Sequence, residues 1–297
     1  MIAIIIVNYK SYLTTCNFIK EMLSKNLAIP SSVIIVDNAS MPEGVSEFKE
    51  NIDVNICNRD FLFLEKSDSS IFLICNPENS GFAKGNNLGA RFAIDVLNCD
   101  YLLFSNNDIE FICDNVVEAL YEKLRKTPEA GIIGPKVVGL KGDLQSPEPY
   151  MSFWDRYVWM YLSTPFYSKE KKRQRFLLDY AINAKEGFHY KLMGSFFMVR
   201  SEDFIRCGMM DENTFLYAEE TILTERMLKI GLQPYYYPHV AVLHNHGLTT
   251  KKHLKNRQIE NFKFESECYY YRTYKNTSLI VIFIGKIFHY FLNFVKR

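Results

Sequence analysis

The side chains able to do chemistry in this chain stand mainly at the ends of apolar runs. Tyr101-Leu-Leu-Phe-Ser-Asn-Asn-Asp-Ile-Glu110 is a short buried-strand pattern that closes on two carboxamides and the carboxylate of Asp108. An ionised carboxylate at such a strand end can hold a hard divalent cation, and the cation can hold phosphate. The same residue is equally suited to an Asx turn or to capping the helix that begins near Asp114. Asp37-Asn38-Ala39-Ser40 closes a second apolar run, and Asn79, Asn86 and Asn87 flank glycines 81, 85 and 89. Glu219 and Glu220 are adjacent acids: either can serve as a proton acceptor, and both suit the positive end of a helix. His244 and His246 lie in the polar stretch His-Asn-His-Gly.

The elements that must position these groups alternate strand and helix. Ile2 to Val7 is a β-branched run of strand length, ended by Asn8, Tyr9 and Lys10. Ser11 to Ser24 places Leu13, Cys16, Ile19, Met22 and Leu23 on one helical stripe, and Val33 to Val36 forms the next strand. This is a βαβ unit, so the sheet starts parallel. A third strand, Ile71 to Cys75, opens into the glycine loop, whose spacing by four lets a helix approach its neighbours closely. The loop lacks the Gly-x-Gly-x-x-Gly of a dinucleotide fold, which removes the main support for a dehydrogenase. A helix over 114–126 turns Val116, Val117, Leu120 and Leu124 inward, and strands follow over 131–138 and 191–200. A short helix over 202–207 ends at Gly208, and Glu219 and Glu220 open a helix that ends before Gly231. Pro234 to Pro238 and Val240 to Leu243 then lead the chain to His244.

Composition narrows the function classes. The 297 residues are 48% hydrophobic, as expected for a substantial core. Lys and Arg number 35 against 34 Asp and Glu, a formal charge of +1, so no global field attracts nucleic acid and any anion site is local. The seven cysteines show no Cys-x-x-Cys pair and read as reduced thiols of a cytoplasmic protein. The chain enters a strand at once, so no secretory leader is expected. Aromatic residues reach 15% and thicken over 146–190, a segment of poor periodicity with the basic run Lys169 to Arg175. That segment reads as a lid shaping a pocket or touching a membrane, or as an ordinary loop with a solvated basic face.

One arrangement unites the polar ends: a nucleotide at the carboxyl edge of the first strands, a metal on its diphosphate and a carboxylate base opposite. Ile-Val-Asn-Tyr at the first strand, Val-Asp-Asn-Ala-Ser at the second, Asn-x-Gly-Phe-Ala-x-Gly-x-Asn-x-Gly, Ser-Asn-Asn-Asp, Phe-Leu-Tyr-Ala-Glu-Glu and the late His244 occur in that order. In this pattern the chain resembles family 2 glycosyltransferases of the bacterial surface-polysaccharide, rhamnosyltransferase-like kind. The resemblance implies an A-type glycosyltransferase fold. This is an α/β architecture with a Rossmann-like nucleotide-binding sheet of mostly parallel strands flanked by helices, plus a C-terminal helical extension. It implies a catalytic domain over 1–250, with a nucleotide-binding half over about 1–110, an acceptor-side half over about 111–250 and an extension over 251–297.

By the same resemblance, Val7, Asn8 and Tyr9 border the base and ribose of a UDP- or dTDP-sugar, with Asp37 accepting its hydrogen bonds and Asn38 beside it. Asn79, Gly81, Phe82, Asn86 and Asn107 line the donor, while Asp108 and His244 hold Mg²⁺ or Mn²⁺. Glu220 is the base of an inverting transfer, with Glu219 next to it, and the acceptor is a glycan, lipid-linked in the resembling enzymes. Two departures stand out. The first acid of the family's metal motif is Asn106 here, which implies a weak metal site completed by the substrate, and the base is Glu where Asp is more usual. These departures leave open a non-catalytic sugar-nucleotide-binding or scaffold subunit. A nucleotidyltransferase is disfavoured, because Asn8-Tyr9-Lys10-Ser11 contains no glycine.

Ser278 to Val295 is strongly apolar but carries Lys286, His289 and Asn293 at i, i+3 and i+7. It is shorter than the roughly 20 apolar residues of a spanning helix. Its expected places are a membrane leaflet at the inner face of the plasma membrane, a homodimer interface or the cover of a core.

Overall fold

The structure, a computed structural model, describes residues 1–163, 165–245 and 256–295. Its centre is set by the most β-branched run. Strand β1 (Ile2–Asn8) is buried almost throughout and lies between β2 (Ser31–Asn38) and β6 (Tyr101–Ser105), parallel to both. Outward from β2 follow β5 (Ile71–Asn76) and β3 (Asn55–Asn58), again parallel, with β4 (Phe63–Glu65) antiparallel at the edge. Beyond β6 the directions become mixed. Strand β10 (Phe196–Arg200) runs antiparallel to β6 and to β8 (Ala130–Gly139), and β11 (Gln233–His244) runs parallel to β8. The short β7 (Ile109–Phe111) and β9 (Gly187–Phe188) both pair antiparallel with β11. A parallel nucleotide-type half and a mixed half thus share one sheet.

Helices cover both faces, as a sheet buried on two sides requires. One core cluster contains the inward residues of α1 (Tyr12–Ser24), α2 (Pro42–Asn51) and α4 (Val116–Arg125). The other contains those of α3 (Phe82–Arg91) and α5 (Glu219–Lys229). In α3, Gly85 and Gly89 face β1 and β2: a Cβ at Gly89 would stand 2.7 Å from Ile5, which is why the glycine spacing matters. A third cluster joins Phe153, Ala218 and Ile222 to α6 (Asn256–Tyr274) and α7 (Leu279–Val295).

Several expectations are corrected. Leu13 and Leu23 of α1 are exposed, and the buried face is Thr15, Cys16, Phe18, Ile19 and Met22. The strand expected over 191–200 begins only at Phe196, because Lys191 to Ser195 form the loop that reaches the site. Helix α2 and strands β3 and β4 were not legible as periodic runs. The 146–190 segment is built from short helices over 153–162, 169–175 and 180–183, whose Phe153, Val158 and Phe176 are buried. In α7, His289 does not face water with Lys286: its ring stacks on Phe264 at a centroid distance of 3.9 Å. The outward face is apolar instead, with Leu279, Ile280, Phe283, Ile287, Tyr290 and Phe291 each at least 51% exposed.

Candidate active site

The metal-type residues meet because two strand ends are stitched together. Strand β7 pairs with the end of β11, His244 opposite Ile109, and the Asn245 N–H donates to Asp108 O at 3.0 Å. His244 Nε2 consequently lies 3.4 Å from Asp108 Oδ1, with His244 1% and Asp108 8% exposed. His244 Nδ1 pairs with Gln145 Oε1 at 2.7 Å. An amide oxygen only accepts, so Nδ1 carries the proton and Nε2 turns its lone pair toward Asp108 and Asn106. Asn106 Nδ2 stands 3.3 Å from Nε2, so the carboxamide that replaces the usual acid supports the histidine. Asp108 Oδ1 is buried with no hydrogen bond among the described residues. An orphaned carboxylate oxygen beside an imidazole nitrogen held in the metal-binding tautomer is a donor pair that fits a divalent cation. Among the described residues no third His, Cys, Asp or Glu joins them, so the remaining ligands must come from elsewhere. His246 lies outside the described residues.

The nucleotide-side residues form a connected polar edge at the ends of β1, β2 and β6. Asn8 Nδ2 donates to Asp37 Oδ1 at 2.7 Å, Thr15 Oγ1 donates to Asn8 Oδ1 at 2.8 Å, and Asn107 Nδ2 donates to Thr15 Oγ1 at 2.8 Å. Burial raises the Asp37 pKa and the Asn8 amide partly offsets it. Asn38 Nδ2 donates to Gly81 O at 3.0 Å and its Oδ1 accepts from Asn76, while Asn79 Oδ1 accepts the Gly81 N–H. Gly81 has φ +87°, and a Cβ there would meet Phe215 O at 2.5 Å. Phe82 N donates to the same carbonyl at 3.0 Å, which ties the glycine loop to the segment that leads into α5. Val7 and Tyr9 are half-buried, and Val7 packs under Gly85. Asn86 is not aimed outward: its amide donates back to Phe82 O at 3.0 Å.

The two acids at the start of α5 are separated by their surroundings. Tyr217 and Ala218 both take left-handed backbone, φ +72° and +69°, a conformation that costs non-glycine residues energy and marks functional turns. This turn buries Glu219 to 3% exposure and points Glu220 at the loop before β10. Burial first, and the neighbouring Glu220 second, push the Glu219 carboxyl up to about 8, so it is protonated at neutral pH. Glu220 passes beside Gly194, where even a Cβ would come within 3.4 Å of its own Cβ. Its Oε1 lies 3.7 Å from Lys191 Nζ, which in turn holds Glu148 Oε1 at 2.8 Å. Burial pushes the Lys191 ammonium down, but Glu148 and Glu220 outweigh it and raise its pKa. The arrangement therefore supplies one neutral acid, one carboxylate beside a cation and a cation-type pair across the sheet edge.

Thr15, Gln145, Glu148 and Lys191 were not among the sequence candidates. Thr15 sits inside an ordinary helical stripe. Gln145 lies just before the unpatterned segment and Glu148 within it, 99 and 72 residues from His244 and Glu220 respectively, and Lys191 reads as the start of a strand. No local signal marks any of them.

The model described as Glycosyl transferase family 2 matches residues 3–193. Across 280 residues the chain is 26% identical to a low-salt glycan biosynthesis hexosyltransferase of Haloferax volcanii, covering 94% of this chain and 74% of that protein. It is also 26% identical over 164 residues to an N-acetylglucosaminyl-diphospho-decaprenol L-rhamnosyltransferase of Mycobacterium tuberculosis, covering 51% of this chain and 48% of that one. Among solved structures, a mannosyltransferase of Pyrobaculum calidifontis in complex with GDP-mannose and Mn²⁺ superposes with a TM-score of 0.56 at 12% identity. That match covers 93% of this chain and 64% of the mannosyltransferase. GalNAc-T7 with UDP, GalNAc and Mn²⁺ gives 0.57 at 13% identity over 84% of this chain and 44% of that one. These likenesses show the fold. The chain spans under two thirds of both solved neighbours and about half of the mycobacterial relative.

Proposed function

Because the chain belongs to glycosyl transferase family 2, we propose that it moves a sugar from a UDP- or dTDP-hexose to a glycan acceptor, with inversion at the anomeric carbon. The observation that carries this reading is the convergence of Asp108 and His244, 3.4 Å apart, on the sheet edge that also holds Asp37 and Asn8. In the proposed reaction the polar edge from Asp37 to Asn107 binds the nucleoside. Asp108 and His244 would hold Mg²⁺ or Mn²⁺, which would supply positive charge to neutralise the leaving diphosphate. Glu220 accepts the proton of the acceptor hydroxyl as its oxygen bonds the anomeric carbon and the bond from that carbon to the diphosphate breaks. Lys191 keeps Glu220 oriented. Glu219, protonated, stays clear of the proton transfer and shapes the turn. The solved neighbours hold nucleotides or nucleotide sugars with Mn²⁺, which supports the donor class and the metal.

The test is release of nucleoside diphosphate from a panel of donors, with Mn²⁺ or Mg²⁺ and a lipid-linked or mimetic acceptor. Wild type turns over one donor, and Glu220→Gln loses about 10² to 10⁴-fold in kcat while still binding nucleotide. Saturable nucleotide binding without turnover of any donor would instead establish the non-catalytic subunit.

The acceptor in this reading is lipid-linked, and the protein works as a peripheral protein at the cytoplasmic face of a membrane. Among the described residues no helix is long and apolar enough to cross a membrane. The outward apolar stripe of α7, from Leu279 to Phe291, supports a helix lying in the headgroup region. The mycobacterial relative is named for a substrate of that lipid-linked class.

A further inference from the structure

Between the folded insertion and helices α6 and α7 lies a cleft of about 430 Å³. It stands one residue away from both halves of the candidate chemistry. Gln145 in its wall is the partner of His244 Nδ1, and Glu148 in its wall is the partner of Lys191, whose other neighbour is Glu220. A narrower recess of about 40 Å³ shares Glu148 and Arg156 with the cleft and reaches Lys191 and Thr221, the residue after Glu220. No residue of the polar nucleotide edge lines either space.

The lining states what the cleft can bind. Six aromatic side chains, Tyr157, Tyr161, Phe176, Tyr180, Phe264 and His289, line it. Its charged groups are Glu148, Glu260, Arg156 and Lys263, two acids against two bases. Arg156 is already matched by Glu267, with Nε to Oε2 at 2.7 Å. Glu148 is likewise matched by Lys191 at 2.8 Å, so the lining is close to neutral and a diphosphate or a carboxylated sugar would find no net positive field here. A neutral saccharide fits: its C–H faces lie on aromatic rings, and its hydroxyls donate to Glu148, Glu260 and Gln145.

We infer that this cleft binds the neutral saccharide of the acceptor and delivers its hydroxyl along the Glu148–Lys191 wall to Glu220. The inference rests on the glycosyl-transfer reading above. It is tested by a measurement that needs no turnover. Saturation-transfer NMR and titration with octyl glucoside, galactoside, mannoside and N-acetylglucosaminide, below their micellar concentrations, are compared for wild type, Tyr161→Ala and Glu260→Gln. Tyr161 and Glu260 are exposed, so both variants should fold, which circular dichroism and UDP or dTDP affinity check. The expected result is binding of at least one glycoside by wild type, weakened about tenfold in Tyr161→Ala and in Glu260→Gln, with nucleotide affinity unchanged. In turnover the same variants raise the acceptor KM by a similar factor and leave donor hydrolysis unaltered.

The inference is overturned if no glycoside binds, or if binding is untouched by both substitutions. It is also overturned if geranyl diphosphate, and not a glycoside, is the ligand that the substitutions displace. Failure of the transfer reading itself would show separately, as an absence of nucleotide binding and turnover in wild type.

Discussion

Lys191 Nζ stands 3.7 Å from Glu220 Oε1 and 2.8 Å from Glu148 Oε1, a buried ammonium shared by two carboxylates. A cation at this distance favours the ionised form of its neighbour. Lys191→Met should lower kcat/KM, because Glu220 loses the ammonium that positions it. Lys191→Arg should restore most of that loss. The substitution to Met also leaves Glu148 without its counterion, so thermal unfolding is measured alongside. A kcat/KM equal to wild type in a folded Lys191→Met protein would remove Lys191 from the mechanism.

Glu219 predicts how stability depends on pH. Its folded pKa of about 8 lies above the ordinary value of 4.5, so between those limits the folded state holds a proton that the unfolded chain has lost. Stability then falls with rising pH, by up to about 1.4 kcal/mol per unit, and levels off above the folded pKa. Glu219→Gln removes that slope. The variant should gain Tm relative to wild type progressively from pH 5 to pH 8, and equal Tm differences at both ends would contradict the assignment.

Gln145 selects the tautomer of His244. Gln145→Leu keeps the volume but removes the acceptor for the Nδ1 proton, and outer partners of this kind are typically worth 10 to 100-fold in metal affinity. The concentration of Mn²⁺ giving half-maximal turnover should rise by that factor with kcat nearly retained at saturation. With Asp108 and His244 as the only His, Cys, Asp or Glu ligands among the described residues, Mn²⁺ should bind poorly without nucleotide and much better with it. Calorimetry showing tight Mn²⁺ binding to the protein alone would refute this.

Phe283 and Ile287 lie on the exposed stripe of α7, away from the face that packs Ile282, Gly285 and His289 inward. Substituting both by Glu should leave the fold intact and abolish co-sedimentation with vesicles containing phosphatidylglycerol. Wild type should be released by alkali or detergent. Loss of a dimer in sedimentation velocity, with vesicle binding absent in wild type too, would assign the stripe to a second copy of the chain.

The parallel half of the sheet was readable because its strands are buried on both faces. Runs such as Ile2 to Val7 and Val33 to Val36 have no solvent side on which to place polar residues, and their polar stops fall at the strand ends where the site forms. Helix α4 was legible for a related reason: Val116, Val117, Leu120 and Leu124 repeat at helical spacing and are all buried. The insertion hid its order because it packs against α6 and α7, more than 100 residues later, through irregular aromatic contacts such as Phe153 with Tyr271 and Phe264. In helix α7 the spacing of Lys286 and His289 did not reveal which side packs inward: His289 stacks on Phe264 and an apolar face is left outside.

The sequence alone determined the βαβ order, the strand-end position of Asp37 and Asp108 and the adjacency of Glu219 and Glu220, since each depends on residues within a few positions of one another. Tertiary structure decided which of the two acids is neutral, which nitrogen of His244 meets Asp108, and that Lys191 belongs to the site. Those outcomes depend on burial and on partners such as Gln145 and Glu148, far away in the chain, that only a folded sheet edge brings within a few ångströms.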